Sequence, residues 1–154
     1  MAKSQSSSFE TRLIAYQKIA VLIMVPALLS TFWAVASIFG APFSAGLTLA
    51  GARLFAHYVA FQHSALVYSL VLLALSVLLA LRAARGTLAF YLVGSGLYVA
   101  DLIVEIVLLC LPEMALGSIV SIIIHAILIG GYAFGFAMYK SAEKKLQEEK
   151  RRSK

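Results

Sequence analysis

Four long apolar segments constrain the fold of this chain more than any other feature of its sequence. They cover residues 13–39, 56–81, 88–111 and 116–139, and charged residues, glycine or proline bound each of them. A helix needs about 20 largely apolar residues to cross a hydrocarbon layer of about 30 Å, so every segment is long enough. Helices are expected because each backbone polar group must be paired in lipid. The sequence therefore predicts an all-α integral membrane protein that folds as a four-transmembrane-helix bundle.

Composition supports the same fold class. Hydrophobic residues make up 62% of the 154 residues and charged residues 13%. A soluble domain has about 45–50% hydrophobic and about 25% charged residues. The single cysteine, Cys110, excludes an internal disulfide and a cysteine-based metal site. The polar start "MAKSQSSSFETR" lacks the pattern of a signal peptide, so we expect the first span to be retained.

The basic residues predict the orientation of the bundle. Lys3, Arg12, Lys18, Arg82 and Arg85 fall on one side, together with every basic residue of the tail. Only Arg53 falls on the other side. The positive-inside rule then places both termini in the cytoplasm of a multi-pass protein of the cell membrane.

This orientation divides the chain into three parts. Residues 1–12 form a cytoplasmic N-terminal segment, 13–139 the four-helix transmembrane domain and 140–154 a charged helical tail that continues the fourth helix. Because the positive charge borders the membrane, the lipid bilayer is the expected partner and nucleic acid is not.

Polar and small residues recur along every span at about 3.5-residue spacing, which keeps them on one face of a helix. Membrane helices use such faces to approach and hydrogen-bond each other. In chain order, this polar stripe consists of Tyr16, Pro26, Ser30, Trp33, Ser37, Tyr58, Gln62, Ser69, Ser76, Gly94, Tyr98, Asp101, Glu105, Pro112, Ser118, Ser121, His125, Tyr132, Gly135 and Tyr139.

Two acids stand out within the stripe. Asp101 and Glu105 lie one helical turn apart in "LYVADLIVEIVL", residues 97–108. A charge at the bilayer centre costs at least about 2.5–3.5 kcal/mol, so a charged residue inside a span indicates a functional site by default. The two carboxylates also repel each other. Protonation of one acid, a cation between them, or water and His125 would each relieve the repulsion.

The polar groups of different spans are predicted to meet in a cavity in the outer half of the bundle. By a rise of about 1.5 Å per residue, Ser30, Asp101 and His125 lie about 13–15 Å from the outer ends of their spans. The inner half is expected to contain mainly Leu, Ile, Val and Ala. The predicted ligand- or ion-binding residues are Asp101, Glu105, His125, Gln62, His63, Trp33, Ser30, Ser121 and Tyr98, and the first three are also candidate metal ligands.

The loop 40–55, "GAPFSAGLTLAGARLF", is unusually apolar for a connection between spans. Two structures are open for it. It lies at the membrane interface as a short helix, or it dips back towards the bundle.

Several functions fit this pattern. The acids favour a transporter or channel coupled to a cation or a proton. One alternative is a membrane-embedded enzyme, or a protein that binds a metal, haem or small lipophilic ligand, using the same acids with His125 and His63. Another is an accessory subunit of a larger membrane complex, with a second copy or a different membrane subunit as its partner. The chain has no Walker loop, nucleophile elbow or dinucleotide fingerprint, and it identifies neither a cofactor nor a substrate.

Overall fold

The computed structural model describes residues 2–40, 49–59, 63–111 and 115–152. It is 91% helical, and the described residues contain no strand. The elements are α1 (Ala2–Ala20), a 3₁₀ turn (Val21–Met24), α2 (Val25–Ile38), α3 (Ala50–Tyr58), α4 (Ser64–Ala84), α5 (Leu88–Leu108) and α6 (Ala115–Arg152). The predicted all-α class is confirmed.

Four helical segments are long and apolar enough to cross a membrane: Leu13–Ile38, Ser64–Ala84, Leu88–Leu108 and Ile119–Arg152. The second one corrects the sequence-based boundary, because residues 56–58 belong to the separate helix α3 and the span begins only at Ser64. Helix α6 continues without a break to Arg152, so the described part of the charged tail is helical.

The first span is interrupted where α1 ends. A 3₁₀ turn covers Val21–Met24, and α2 restarts with Pro26 in its first turn. Proline has no N–H and cannot donate to the preceding turn, so it fits the start of a helix but not its interior. The single span therefore consists of two helices, which pack against different neighbours.

The four spans form a closed bundle. Helix α1 packs against α6, α2 against α4, and α5 against both α4 and α6. Most of the polar stripe is buried, as its spacing predicted, and large aliphatic residues such as Val71, Ile103 and Ile127 are exposed on the opposite faces. A membrane helix has this pattern when it buries its polar face against other helices.

The half of the bundle that contains both chain ends is built around tyrosines, which we call the tyrosine core: Tyr16, Tyr91, Tyr98, Tyr132 and Tyr139. Consecutive ring centroids are 5.0 Å apart for Tyr139–Tyr16, 5.5 Å for Tyr16–Tyr91, 6.4 Å for Tyr91–Tyr132 and 5.7 Å for Tyr132–Tyr98. This half was expected to contain mainly Leu, Ile, Val and Ala, and the tyrosine core at its centre was not predicted. Small residues on the facing helices leave room for the rings.

Gly135 shows how tightly this core is packed. A Cβ atom at Gly135 would lie 2.2 Å from the hydroxyl oxygen of Tyr91 and 2.6 Å from Cγ2 of Ile19. The hydroxyl of Tyr91 donates to the carbonyl oxygen of Tyr132, and that of Tyr132 to the carbonyl oxygen of Leu22. Neutral hydroxyls on backbone carbonyls thus hold this half together.

Candidate functional site

The short helix α3 enters the opposite half of the bundle with its N-terminus buried. Ala50 and Ala52 are fully buried, whereas Phe55 and Tyr58 near its other end are exposed. Of the two structures open for the apolar loop, the described residues of this region therefore fit a segment that dips back into the bundle. The hydroxyl of Ser64 donates to the carbonyl oxygen of Phe55, which links the end of α3 to the start of α4.

The N–H groups at the start of α3 are bound by side chains of other helices. Leu49 N–H donates to Ser30 Oγ over 3.2 Å, Ala50 N–H to Asp101 Oδ2 over 3.0 Å and Gly51 N–H to Asp101 Oδ1 over 3.2 Å. A helix N-terminus has unsatisfied donors and a partial positive charge, and a carboxylate satisfies both. One function of Asp101 is therefore to hold α3 inside the bundle.

Ser30 extends this contact to the first two spans. Its hydroxyl oxygen lies 2.9 Å from that of Ser69 on α4, and both residues are fully buried. The serine pair therefore links α2 and α4 directly beneath the start of α3.

Glu105 binds the guanidinium of Arg53 through Oε1 and Nη2. Glu105 is fully buried and Arg53 is 6% exposed. Asp101 contacts Ala50 and Gly51 at the start of α3. Glu105 lies one turn further along α5 and contacts Arg53, which lies one turn further along α3. The two helices therefore run in the same direction here, and each acid has its own positive partner.

Asp101 also contacts His125 of α6, whose Nε2 is 3.2 Å from Oδ2. His125 Nδ1 is 2.8 Å from the carbonyl oxygen of Ser121, which can only accept, so Nδ1 carries a proton. A second proton between Nε2 and Oδ2 would then separate two lone pairs that otherwise repel each other. With that second proton the pair is neutral as a whole, either as imidazolium with carboxylate or as imidazole with carboxylic acid.

Tyr98 fixes the histidine ring. The two rings are parallel within 4°, and their centroids are 4.3 Å apart. Tyr98 also contacts Tyr132, so the tyrosine core ends directly at the histidine.

A cavity of about 450 Å³ lies beside Asp101. Its walls come from α4 and α5, its back from the first span and its roof from α3. Gly51 and Tyr68 close one corner, where a Cβ atom on Gly51 would lie 2.1 Å from the tyrosine hydroxyl. This volume is within the range of about 300–1,000 Å³ of small-molecule pockets.

We call the assembled groups the α3 site. It comprises the first N–H groups of α3 with Ser30, Arg53, Ser69, Asp101, Glu105 and His125.

The structure brings together most of the predicted site residues. Ser30, Tyr98, Asp101, Glu105, Ser121 and His125 are all buried in or directly beside the α3 site. Trp33 is half-buried and contacts the ring of Phe32, and His63 is exposed at the start of α4. Gln62 lies outside the described residues. What these residues bind stays a prediction.

The three candidate metal ligands do not share one contact. Asp101 meets His125, whereas Glu105 meets Arg53. Within residues 2–40, 49–59, 63–111 and 115–152, no group of three or more His, Cys, Asp or Glu residues could hold a metal ion. The guanidinium of Arg53 takes the place that a metal would need beside Glu105.

Sequence reasoning missed Arg53 as a site residue. It was counted as the one basic residue in an outer loop, although two acids in a span need positive partners. Its position in an unusually apolar loop, "TLAGARLF", was the available signal.

No family model, curated protein or solved structure matches this chain. Function therefore has to be inferred from the α3 site itself.

Proposed function

We propose that the chain is a multi-pass protein of the cell membrane that transports a small cation in exchange for protons, with Asp101 as the shared binding group. The observation that carries this proposal is the 3.2 Å contact between Oδ2 of Asp101 and Nε2 of His125, two groups that can share a proton at the buried N-terminus of α3. Buried ionisable groups of this kind form proton relays in transporters.

Both chain ends are cytoplasmic in this proposal. Arg53, the one basic residue assigned to the other side, is buried against Glu105 and is not a loop charge. The basic residues that border the membrane then all belong to the side of the chain ends, which is the arrangement that the positive-inside rule associates with the cytoplasm.

Charge balance explains why a cation and a proton compete. Arg53 and Glu105 neutralise each other, and Asp101 with His125 is neutral while one proton lies between them. A cation bound to Asp101 would add a positive charge to a buried site, which is costly. Release of the shared proton restores neutrality, so the two ligands exclude each other.

Ser121 offers His125 a hydrogen-bond partner after the shared proton has been released. Its hydroxyl oxygen lies 3.4 Å from Nδ1 of His125. In the neutral imidazole of the proposed cation-bound state, the remaining proton moves to Nε2, the ring shifts away from the Ser121 carbonyl oxygen, and the serine hydroxyl donates to Nδ1 instead. The contact between Nε2 and Asp101 is then kept in the cation-bound state.

Asp101 also couples this exchange to α3, because the same two carboxylate oxygens accept the N–H groups of Ala50 and Gly51. A change of ligand on Asp101 therefore changes how firmly α3 is held. The tyrosine core fills the cytoplasmic half, so α3 is the element expected to move on the outer side.

Proton flux in proteoliposomes tests the proposal. The purified full chain is reconstituted with pyranine inside, and Na⁺, K⁺, tetramethylammonium and 1-methyl-4-phenylpyridinium are added outside in turn. We expect at least one cation to raise the internal pH by driving protons out, and Asp101→Asn to reduce this flux to that of empty liposomes. Asn keeps the shape of Asp101 but cannot carry its negative charge.

Two outcomes would contradict the proposal. Wild-type protein without proton flux for any of the four cations would exclude cation–proton exchange for this panel. Equal flux in wild type and Asp101→Asn would show that the protons do not pass through Asp101.

A further inference from the structure

The cavity beside Asp101 has features that the proton–cation exchange alone does not require. It is far larger than a metal ion, and most of its walls are aliphatic, including Ile23, Leu72 and Val104. An inorganic cation would leave these walls without contact. The volume indicates a ligand with an apolar body.

The cavity reaches the outside of the bundle at α5. Leu97 and Ala100 line it and are also exposed on the surface of α5. In a membrane, this surface faces the acyl chains. A ligand that dissolves in the outer leaflet can therefore enter sideways.

One end of the cavity is polar. Asp101 lines it, and Oδ1 accepts one hydrogen bond from the described residues, that of Gly51. A carboxylate offers about four acceptor positions, so Asp101 retains capacity for a ligand that donates. The titratable and charged groups around it are Arg53 on α3, Tyr68 on α4, Tyr98 and Glu105 on α5, and His125 on α6, while α2 contributes Ser30.

Aromatic rings complete the walls. Phe55, Tyr68 and Tyr98 all line the cavity, and the rings of Phe55 and Tyr68 are 5.0 Å apart. Aromatic faces attract cations, and more strongly where water is excluded. Carboxylate, aromatic rings and aliphatic walls together select a hydrophobic cation.

From these observations we infer that the cavity binds a hydrophobic amine, with its ammonium group on Asp101 and its apolar body against α4, α5 and the first span. The proton between Nε2 of His125 and Oδ2 of Asp101 is released to water as the ammonium binds, so the charge of the site is unchanged. Binding to the cavity stands by itself, whereas transport of the amine rests on the proposed function. An anionic ligand is excluded by the carboxylate.

Calorimetry on the full chain in phosphatidylcholine nanodiscs tests this inference without any transport. The probe is 1-adamantylamine, a compact apolar cage with one ammonium group, and 1-adamantanol is its uncharged control of the same shape. Titrations in two buffers with different ionisation enthalpies count the protons released, and empty nanodiscs supply the baseline. We expect saturable binding of the amine with release of about one proton, and binding of the alcohol weaker by about tenfold or more, the size of a charge-assisted hydrogen bond.

Two variants locate the binding site. Val104→Trp fills the cavity, and Val107→Trp places the same ring one turn further along α5 on an exposed position that does not line it. We expect Val104→Trp to abolish amine binding and Val107→Trp to keep it. Asp101→Asn should lower amine affinity by about tenfold or more and remove the proton release.

Equal binding of amine and alcohol, or amine binding that survives Val104→Trp, would overturn the inference. So would a wild-type cavity that binds no amine and instead retains a phospholipid in native mass spectra. Amine binding with proton release but without flux in liposomes would keep the inference and reject the transport proposal, so the two failures are distinguishable.

Discussion

The tyrosine core and the α3 site lie towards opposite ends of one bundle and meet where Tyr98 stacks on His125, but they are stabilised in different ways. In the tyrosine core, neutral hydroxyls donate to backbone carbonyls, as Tyr91 does to Tyr132. In the α3 site, charged groups and a helix end satisfy each other. A neutral hydrogen bond contributes about 0.5–1.5 kcal/mol, whereas breaking a buried ion pair costs about 3–5 kcal/mol.

In the proposed function, this difference separates a half that keeps its charge from a half that responds to a ligand. A tyrosine hydroxyl that donates to a backbone carbonyl neither gains nor loses a proton near neutral pH. Gain or loss of one proton between Asp101 and His125 changes the net charge of the α3 site. It also changes how strongly Asp101 binds the N–H groups at the start of α3. We therefore propose that function belongs to the half where charges balance in pairs.

The largest effect is expected from Arg53→Met, which leaves the fully buried carboxylate of Glu105 without its guanidinium partner. We expect a loss of about 3–5 kcal/mol in the free energy of unfolding, measured by titrating the detergent-solubilised protein with SDS. The double variant Arg53→Met with Glu105→Leu should recover most of this loss, since it removes both charges. If Arg53→Met alone is as stable as the wild type, the α3 site does not depend on paired charges, and the contrast between the halves fails.

A smaller effect is expected in the tyrosine core from Gly135→Ala. The added Cβ would overlap the hydroxyl of Tyr91 and the side chain of Ile19, and overpacking costs about 1–3 kcal/mol. Gly96→Ala is the matched control, because no atom lies within 4 Å of its Cβ position. In a helix that control should gain about 0.5–1 kcal/mol. Equal behaviour of the two variants in the SDS titration would show that the tyrosine half is not tightly packed.

The smallest effect separates two tyrosines within one core. Tyr91→Phe removes the hydroxyl that donates to Tyr132 and should cost about 1 kcal/mol. Tyr16→Phe should cost nothing or stabilise slightly, because the buried hydroxyl of Tyr16 has no hydrogen-bond partner among the described residues. Thermal unfolding monitored by circular dichroism distinguishes them, and neither variant should alter proton flux. A change of flux in Tyr91→Phe would extend the responsive region into the tyrosine core.

Much of the site could be predicted from local patterns. The spacing of Tyr98, Asp101 and Glu105 along α5 places them on one face, and that face is buried. His125 was matched to Asp101 or Glu105 by its depth in another span, and its side chain meets Asp101. Both inferences need only the helical repeat and the rise per residue.

The tyrosine core was missed for a different reason. Tyr16, Tyr132 and Tyr139 lie on the predicted stripe, but Tyr91 does not follow from it, and a tyrosine near a span end also fits the membrane interface. Their contact with each other depends on how α1, α5 and α6 pack. Hydropathy alone could not distinguish a buried ring from an interfacial one.

The sequence by itself determined four membrane-length helices and the face that each buries, because length, hydropathy and helical periodicity are properties of neighbouring residues. Only the tertiary structure decided how the two acids are neutralised. Ala50 and Asp101 are 51 positions apart in the chain, and Arg53 and Glu105 are 52 apart. Such contacts form only once α3 has packed alongside α5, and no local pattern specifies where a nine-residue helix between two spans will pack.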